Sequence, residues 1–410
     1  MFRIRFAVLV SFLLATSSVC FGQAGLWDAS VDCPGGSIRF GLQLDHSESD
    51  DKWSGYLING TEKIGIPQIE SNGNGQAVLK IDHYDSQLTI QTVAASDKAK
   101  KHLVGSWKKR RGAKKWVEMD FHAVPTVERK TTTVKNSKTK FAGHWKVKFE
   151  SSNDPAVGIF KMDPATGEIG GTFLTTTGDY RFLAGSVVDD QLELSCFDGA
   201  HAFLFKAKFN GDDSITGDFW SSDTWHETWT ATRDKDATLP DGFELTTATE
   251  TNINSLSFPD LDGKQTRLDD ERFAGTVRIV HIFGSWCPNC HDAAVYLAEL
   301  EKKYGDKMSV VGLAFELTGD AKRDADQVRK YLQRHQLDHP VLIGGKSSKV
   351  IASKAVTVID EVRSYPTTIF ADASGKIIAV HQGFSGPATG ETYVELKKKF
   401  ESVIEGILKK

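Results

Sequence analysis

Cys287 and Cys290 are separated only by Pro288 and Asn289. The apolar run Val277-Arg278-Ile279-Val280-His281-Ile282-Phe283 precedes them, and an amphipathic helical pattern follows. This order predicts a strand, a tight loop, and two cysteines on the first turn of a helix. Thiolate is the reactive form of cysteine, and a helix N-terminus stabilises it. Pro288 suits the first helical position, so Cys287 is expected at the N-cap and Cys290 at the third helical position. The amides of Asn289 and Cys290 would then face the Cys287 sulfur. Ala293, Leu297, Leu300 and Tyr304 make one apolar stripe, with Glu299, Glu301, Lys302 and Lys303 off it.

Half a zinc site is the main rival for such a pair, but zinc needs about four ligands. No second cysteine pair exists, no His-x-x-x-His flanks this one, and His281 and His291 are the local histidines. Redox chemistry at the two thiols is expected, with no metal and no bound cofactor.

The elements that must hold this pair lie downstream. Val310-Val311-Gly312-Leu313-Ala314-Phe315 predicts a second buried strand, followed by a helix over about Ala321 to Gln336. Ser364-Tyr365-Pro366-Thr367-Thr368-Ile369-Phe370 predicts a strand with proline at its start. Gly375-Lys376 turns into Ile377-Ile378-Ala379-Val380. A last helix places Tyr393, Leu396, Phe400, Val403 and Ile407 on one face.

From about Leu256 onward the chain resembles the thioredoxin superfamily, specifically exported thiol-disulfide oxidoreductases of the TlpA and ResA type. The resemblance implies an α/β thioredoxin-like domain. It makes Cys287 the attacking thiol and Cys290 the resolving one. It makes Pro366 the cis-proline beside the disulfide and Trp286 the tryptophan flanking the first cysteine. Glu316 matches an acidic residue just after the second strand. Two positions depart from the pattern. His281 stands where relatives often carry Asp or Asn, and Ala293 where several carry an acidic residue. His281 has two readings: a core histidine bonded to backbone, or an acid–base group near Cys290. His291 and Asp292 are expected to be solvated helix residues.

The 410 residues predict two or three domains. Fifty Lys and Arg against 54 Asp and Glu leave a net charge of -4, which gives no case for nucleic-acid binding. Residues 1–22 read as a secretory signal: Arg3 and Arg5, an apolar run Phe6 to Ala15, then a small-residue region. Cys20 could instead carry a lipid, though Val19 before it fits poorly. No transmembrane span is expected once the signal is removed. Cys33, Cys196, Cys287 and Cys290 remain, too few for a disulfide-stapled scaffold. Cys33 and Cys196 share strand parity with apolar neighbours and read as buried residues, with a bridge between them as the alternative.

The N-terminal half reads as all-β. Alternation is clear in Ile38-Phe40-Leu42-Leu44, Val117-Met119-Phe121, Trp145-Val147-Phe149 and Phe203-Phe205-Ala207-Phe209. The half also reads as duplicated. Gly25-Leu26-Trp27 echoes Gly143-His144-Trp145. The segment from Trp53 echoes that from Ile169, and Asp85-Ser86-Gln87-Leu88 echoes Asp189-Asp190-Gln191-Leu192. Trp107 and Trp220 close the units. The expected class is therefore α+β multidomain: a duplicated antiparallel all-β region, then the thioredoxin-like domain. Expected bounds are 23–127 and 141–233 for the β units and 246–410 for the thioredoxin-like domain. Glu128 to Lys140 joins the units, and Thr232 to Gly242 leads into the redox domain. Lys108 to Lys115 reads as a basic, solvated hairpin tip that could meet an anionic polymer. Asn59-Gly60-Thr61 has the glycosylation pattern, idle in a family of bacterial character.

The expected function is exchange with disulfides and dithiols of protein substrates in the periplasm or outside the cell. The reductive direction is implied by the resemblance, with an upstream thiol as electron donor. A thiol peroxidase and an envelope binding or scaffold protein acting through its β half are the alternatives.

Overall fold

The computed structural model describes residues 24–72, 74–93, 101–127, 140–164, 166–188 and 190–410. The expected signal with Arg3, Arg5 and Cys20, and nearly all of the 128–140 joint, lie outside the described residues. Among the described residues, no helix is long and apolar enough to cross a membrane.

The strands from Gly25–Cys33 to Trp116–Pro125 form a nine-stranded sheet. Its last strand returns to its first, with Trp27 opposite Pro125 and Val31 opposite Phe121. The ring stays open only between Glu62–Gly65 and Gln68–Ser71, where the Ile66 amide donates to the Gly55 carbonyl at 2.9 Å. The predicted alternation explains the curl. Ile38, Phe40, Leu42 and Leu44 point into one apolar core, while polar neighbours point out. A second nine-stranded sheet runs from Gly143–Phe149 to Trp225–Arg233. Trp145 lies opposite Arg233, and Ala156–Met162 pairs with both Gly143–Phe149 and Ile169–Thr175, so this ring closes. Its interior is dominated by aromatic rings, among them Phe149, Phe173, Phe205 and Trp229.

The duplication holds in topology, with two corrections. In strand order Ser86–Val93 matches Ala202–Phe209, so the third echo slips by one strand. Trp220 sits on the matching strand to Trp107 but faces outward, against the core cluster of the first barrel. Trp229 fills the second barrel instead.

The two barrels pack side by side. Phe197 of the second stacks on Phe40 of the first at 4.3 Å and meets Trp107 edge-on at 5.2 Å. Burying one such ring stabilises by roughly 1.5–3 kcal/mol. Asn59 satisfies the backbone there, accepting from Phe197 N at 2.9 Å and donating to Phe197 O at 3.1 Å. Its amide is thus buried structure. The basic tip is also not a free one. Lys109 donates to Ala200 O at 2.6 Å, and Arg111 donates to Thr224 at 3.1 Å, both on the second barrel. Burial lowers the Lys109 ammonium to about 8. Lys114 and Lys115 remain exposed.

The C-terminal region holds a five-stranded mixed sheet. Its order is Val341–Lys346, Met308–Glu316, Val277–Phe283, Thr367–Asp372, Ile377–Gln382. The first three are parallel, Thr367–Asp372 runs against them, and Ile377–Gln382 runs against Thr367–Asp372 and so returns to the direction of the first three. Four helices connect or close it: α1 (Pro288–Tyr304), α2 (Ala321–His335), α3 (Lys349–Ala355) and α4 (Glu391–Leu408). Leu297 of α1 and Phe400 of α4 share a core cluster with Val277 and Ile279. Val280, Ile282 and Leu313 share another with Val328 of α2 and Ala352 of α3. This is the thioredoxin-like arrangement, with the central strand aimed at the start of α1.

Candidate active site

Pro288 opens α1, and Cys287 is its N-cap with extended backbone. The Cys287 side chain closes no capping hydrogen bond, although the amides of Asn289 and Cys290 face it. The two thiols are driven apart. Cys287 is held below the ordinary thiol value, first by a hydrogen bond from the Cys290 thiol, against the effect of burial. The amides of Cys290 and Asn289 and the charge of Arg181 add to the lowering. Cys290 is pushed well above the ordinary value, first by burial and then by the neighbouring Cys287. The Cys287 sulfur lies 3.4 Å from the carbonyl oxygen of Tyr365. The Tyr365–Pro366 peptide is cis.

Trp286 donates its indole N–H to Phe315 O at 2.9 Å and meets Tyr365 edge-on at 5.5 Å. Glu316 is buried at the end of its strand. Its two oxygens accept from Ser285 N at 2.8 Å and Ser285 Oγ at 2.7 Å. Burial raises its carboxyl to about 7. It is also among the charges that act on Cys290.

His281 is buried beside Phe283, with ring centroids 5.4 Å apart. Neither ring nitrogen has a hydrogen-bond partner, which corrects the reading of a histidine bonded to backbone. Burial, then His339, lowers it to about 3.

His291 and Asp292 are not solvated either. His291 Nε2 meets Ser285 O at 2.7 Å, and its Nδ1 meets His335 Nε2 at 2.6 Å. Tyr84 and His83 of the first barrel pack over the His291 ring at 4.5 and 5.3 Å. Asp292 pairs with Arg181 of the second barrel. Both expectations failed because an isolated helix pattern cannot show what docks on its polar face. Cys33 and Cys196 are free thiols, Cys196 fully buried and Cys33 only half-buried at a strand end.

The barrels therefore enclose the cysteine pair. Asn289 donates to Asp179 O at 3.4 Å and to Phe384 O at 3.2 Å. Gly178 sits so close that an added Cβ would lie 2.3 Å from the Asn289 amide nitrogen. Asp179 accepts from the Gly386 and Arg181 amides. On the other side, Gln327 of α2 donates to Asp82 O and His83 O at 2.8 and 3.0 Å. Arg181, Asp179, Tyr84 and His83 carried no sequence signal. Asp179 ends the two-residue strand Gly178–Asp179 with Arg181 just beyond it, and His83 and Tyr84 lie in the short 3-10 helix Asp82–Tyr84, all more than a hundred residues from the cysteines. Only Asn289, inside the motif, was in view.

Residues 243–395 match the family model described as Redoxin. The thioredoxin-like protein YneN of Bacillus subtilis is 29% identical over 128 residues, 31% of this chain and 68% of its own. The thiol-disulfide oxidoreductase ResA of Halalkalibacterium halodurans is 25% identical over 157 residues, 38% of this chain and 79% of its own. A solved thiol-disulfide oxidoreductase from Bacteroides fragilis is 21% identical. It covers 35% of this chain and 98% of its own with a TM-score of 0.27, which adds nothing to the assignment. The C-terminal part of the chain is a Redoxin domain with a thioredoxin-like fold. The class defined is that of oxidoreductases working by thiol-disulfide chemistry.

Proposed function

We propose that this chain is an exported thiol-disulfide oxidoreductase that reduces disulfides through Cys287 and Cys290. The observation carrying this reading is the split in acidity, with Cys287 lowered and Cys290 raised well above the ordinary thiol. A nucleophile needs thiolate, and a resolving thiol must stay protonated until called on. The Cys287 thiolate attacks one substrate sulfur, the substrate S–S bond breaks, and the departing thiolate takes up a proton. Cys290 then loses its proton and attacks the Cys287 sulfur. The second substrate thiol leaves, and the enzyme pair ends as a disulfide. Two electrons have passed to the substrate, and an upstream thiol donor restores the pair.

Glu316 is the proton acceptor for Cys290 in this reading. A carboxyl near 7 is matched to neutral pH, whereas His281 near 3 is a weak base. Pro366 and Trp286 border the sulfur as positioning residues. The chain divides into two β units within 23–127 and 141–233 and a redox domain from about 241, since Asp241 already pairs with Lys399 of α4 at 2.7 Å. Export rests on the segment 1–22.

Replacing Cys290 by Ser should leave Cys287 able to attack and accumulate disulfide-linked partners, resolved under non-reducing conditions. Cys287→Ser should trap none. Equal trapping by both variants, or peroxide consumption without disulfide exchange, would reject the reading.

A further inference from the structure

Cys287 is only 8% exposed. Its opening is a cleft of about 660 Å³ between the redox domain and the mouth of the second barrel. Trp286 and Tyr365 line the redox side, and Tyr180, Phe203, Phe219 and Trp225 line the barrel side. The indole N–H groups of these walls are already engaged. The Trp286 N–H goes to Phe315 O, and the Trp225 N–H goes to Glu227 at 3.2 Å. The other Glu227 oxygen accepts from Ser151 N at 2.9 Å. Both Asp179 oxygens accept backbone amides. The cleft offers a visitor the ring surface of these aromatic side chains, with Arg111, His201 and Lys349 also on its lining. Trp225 is 46% exposed and lines the cleft, so part of its ring surface is open to a visitor. The walls are also fixed in place. Asn289 and Gly386 tie the 175–181 loop to the redox domain, and Tyr180 is wedged into the barrel against Phe149, with ring centroids 5.5 Å apart.

A cleft of this volume takes a ligand of small-molecule or short-peptide size, not the surface of a folded protein. Aromatic walls whose N–H groups are spent select for apolar contact area. Resting on the thiol-disulfide reading of Cys287, we infer that this cleft is the substrate site and takes an extended peptide segment. Its disulfide-bonded cysteine is flanked by an aromatic or large apolar residue. The sulfur reaches Cys287, and the flanking side chain packs among Trp225, Tyr180 and Trp286. The second barrel is then part of the substrate-binding surface, which the redox domain lacks by itself.

The test uses the full chain, pre-reduced, and five-residue peptides whose single cysteine is capped as a disulfide with 2-mercaptoethanol. The residue beside the cysteine is Phe, Gly or Glu, and bis(2-hydroxyethyl) disulfide reports basic redox competence. The Phe peptide should oxidise the pre-reduced protein with at least tenfold higher second-order rate constant than the Gly or Glu peptide. Trp225→Ala should bring that ratio within twofold of unity, Trp225→Phe should keep it, and Trp116→Ala, on the first barrel, should leave it unchanged. Equal rates for the three peptides in a protein that reduces the small disulfide would overturn the inference and leave the redox reading intact. So would an undiminished ratio in Trp225→Ala, or a folded protein's surface disulfide reacting as fast as the Phe peptide. Failure to reduce the small disulfide would remove the redox reading and the inference with it.

Discussion

The guanidinium of Arg181, on the second barrel, donates to the carboxylate of Asp292, two residues past Cys290 on α1. The same group reaches Glu62 of the first barrel at 2.7 Å and lies 3.7 Å from Asp198. One buried side chain thus joins all three parts of the chain beside the reactive pair.

Removing that cation leaves buried carboxylates without their partner. Arg181→Ala should lower stability by about 3–5 kcal/mol, the usual cost of breaking a buried pair from one side. Urea unfolding of parent and variant measures it. A loss under about 1 kcal/mol would place the docking energy in the apolar contacts instead.

The Cys287 thiol should titrate below the free value of about 8.5. The Cys290 hydrogen bond is the first cause of the lowering. Cys290→Ala should therefore raise the Cys287 value, while Cys290→Ser, which keeps a donor, should hold more of the shift. The pH dependence of alkylation rate reads both. Identical titrations in the two variants would make the helix amides the main cause.

Glu316 predicts a pH slope in stability. Its folded value, about 7, stands above the ordinary carboxyl value near 4.5. The folded state holds the extra proton, so this contribution is full below about 4.5 and is lost as pH rises through about 7. Its size is at most about 3 kcal/mol. The difference in unfolding free energy between parent and Glu316→Gln should fall by that order across the window. A flat difference would deny the raised carboxyl.

The imidazoles over α1 act in the opposite sense. Burial lowers His83 to about 3 and His335 to about 4, and His291 lies well below its ordinary value. The folded state keeps them neutral, so their contribution is present above about 6.5 and is lost as pH falls toward 4. Between pH 6.5 and 4.5 the parent should lose about 2 kcal/mol more than His83→Phe. Parallel curves for the two proteins would show that His83 is hydrated in solution.

A fragment of residues 241–410 should fold, because the core clusters around the mixed sheet are drawn from that stretch. Freed of the barrels, Cys287 should reduce the disulfide of a folded protein at least tenfold faster than the full chain does. Equal rates would mean that the barrels swing clear of the sulfur in solution.

Cys287, Cys290, Pro288 and the strand before them were legible from sequence alone. Their chemistry is local: adjacent backbone, a helix start, and the thiols themselves. Alternation likewise exposed the barrel strands, because one face of each is buried against its own sheet's core. Pairing order was less legible. The echo at Asp85 slipped by one strand because similar strands share a pattern without sharing neighbours. The surroundings of the cysteines were decided only by tertiary structure. His291 and Asp292 occupy polar helix positions that a sequence assigns to water. The first barrel's Tyr84 and the second barrel's Arg181 occupy those faces instead. Burial of a polar face depends on a partner from distant chain, and no periodicity in α1 encodes which partner arrives.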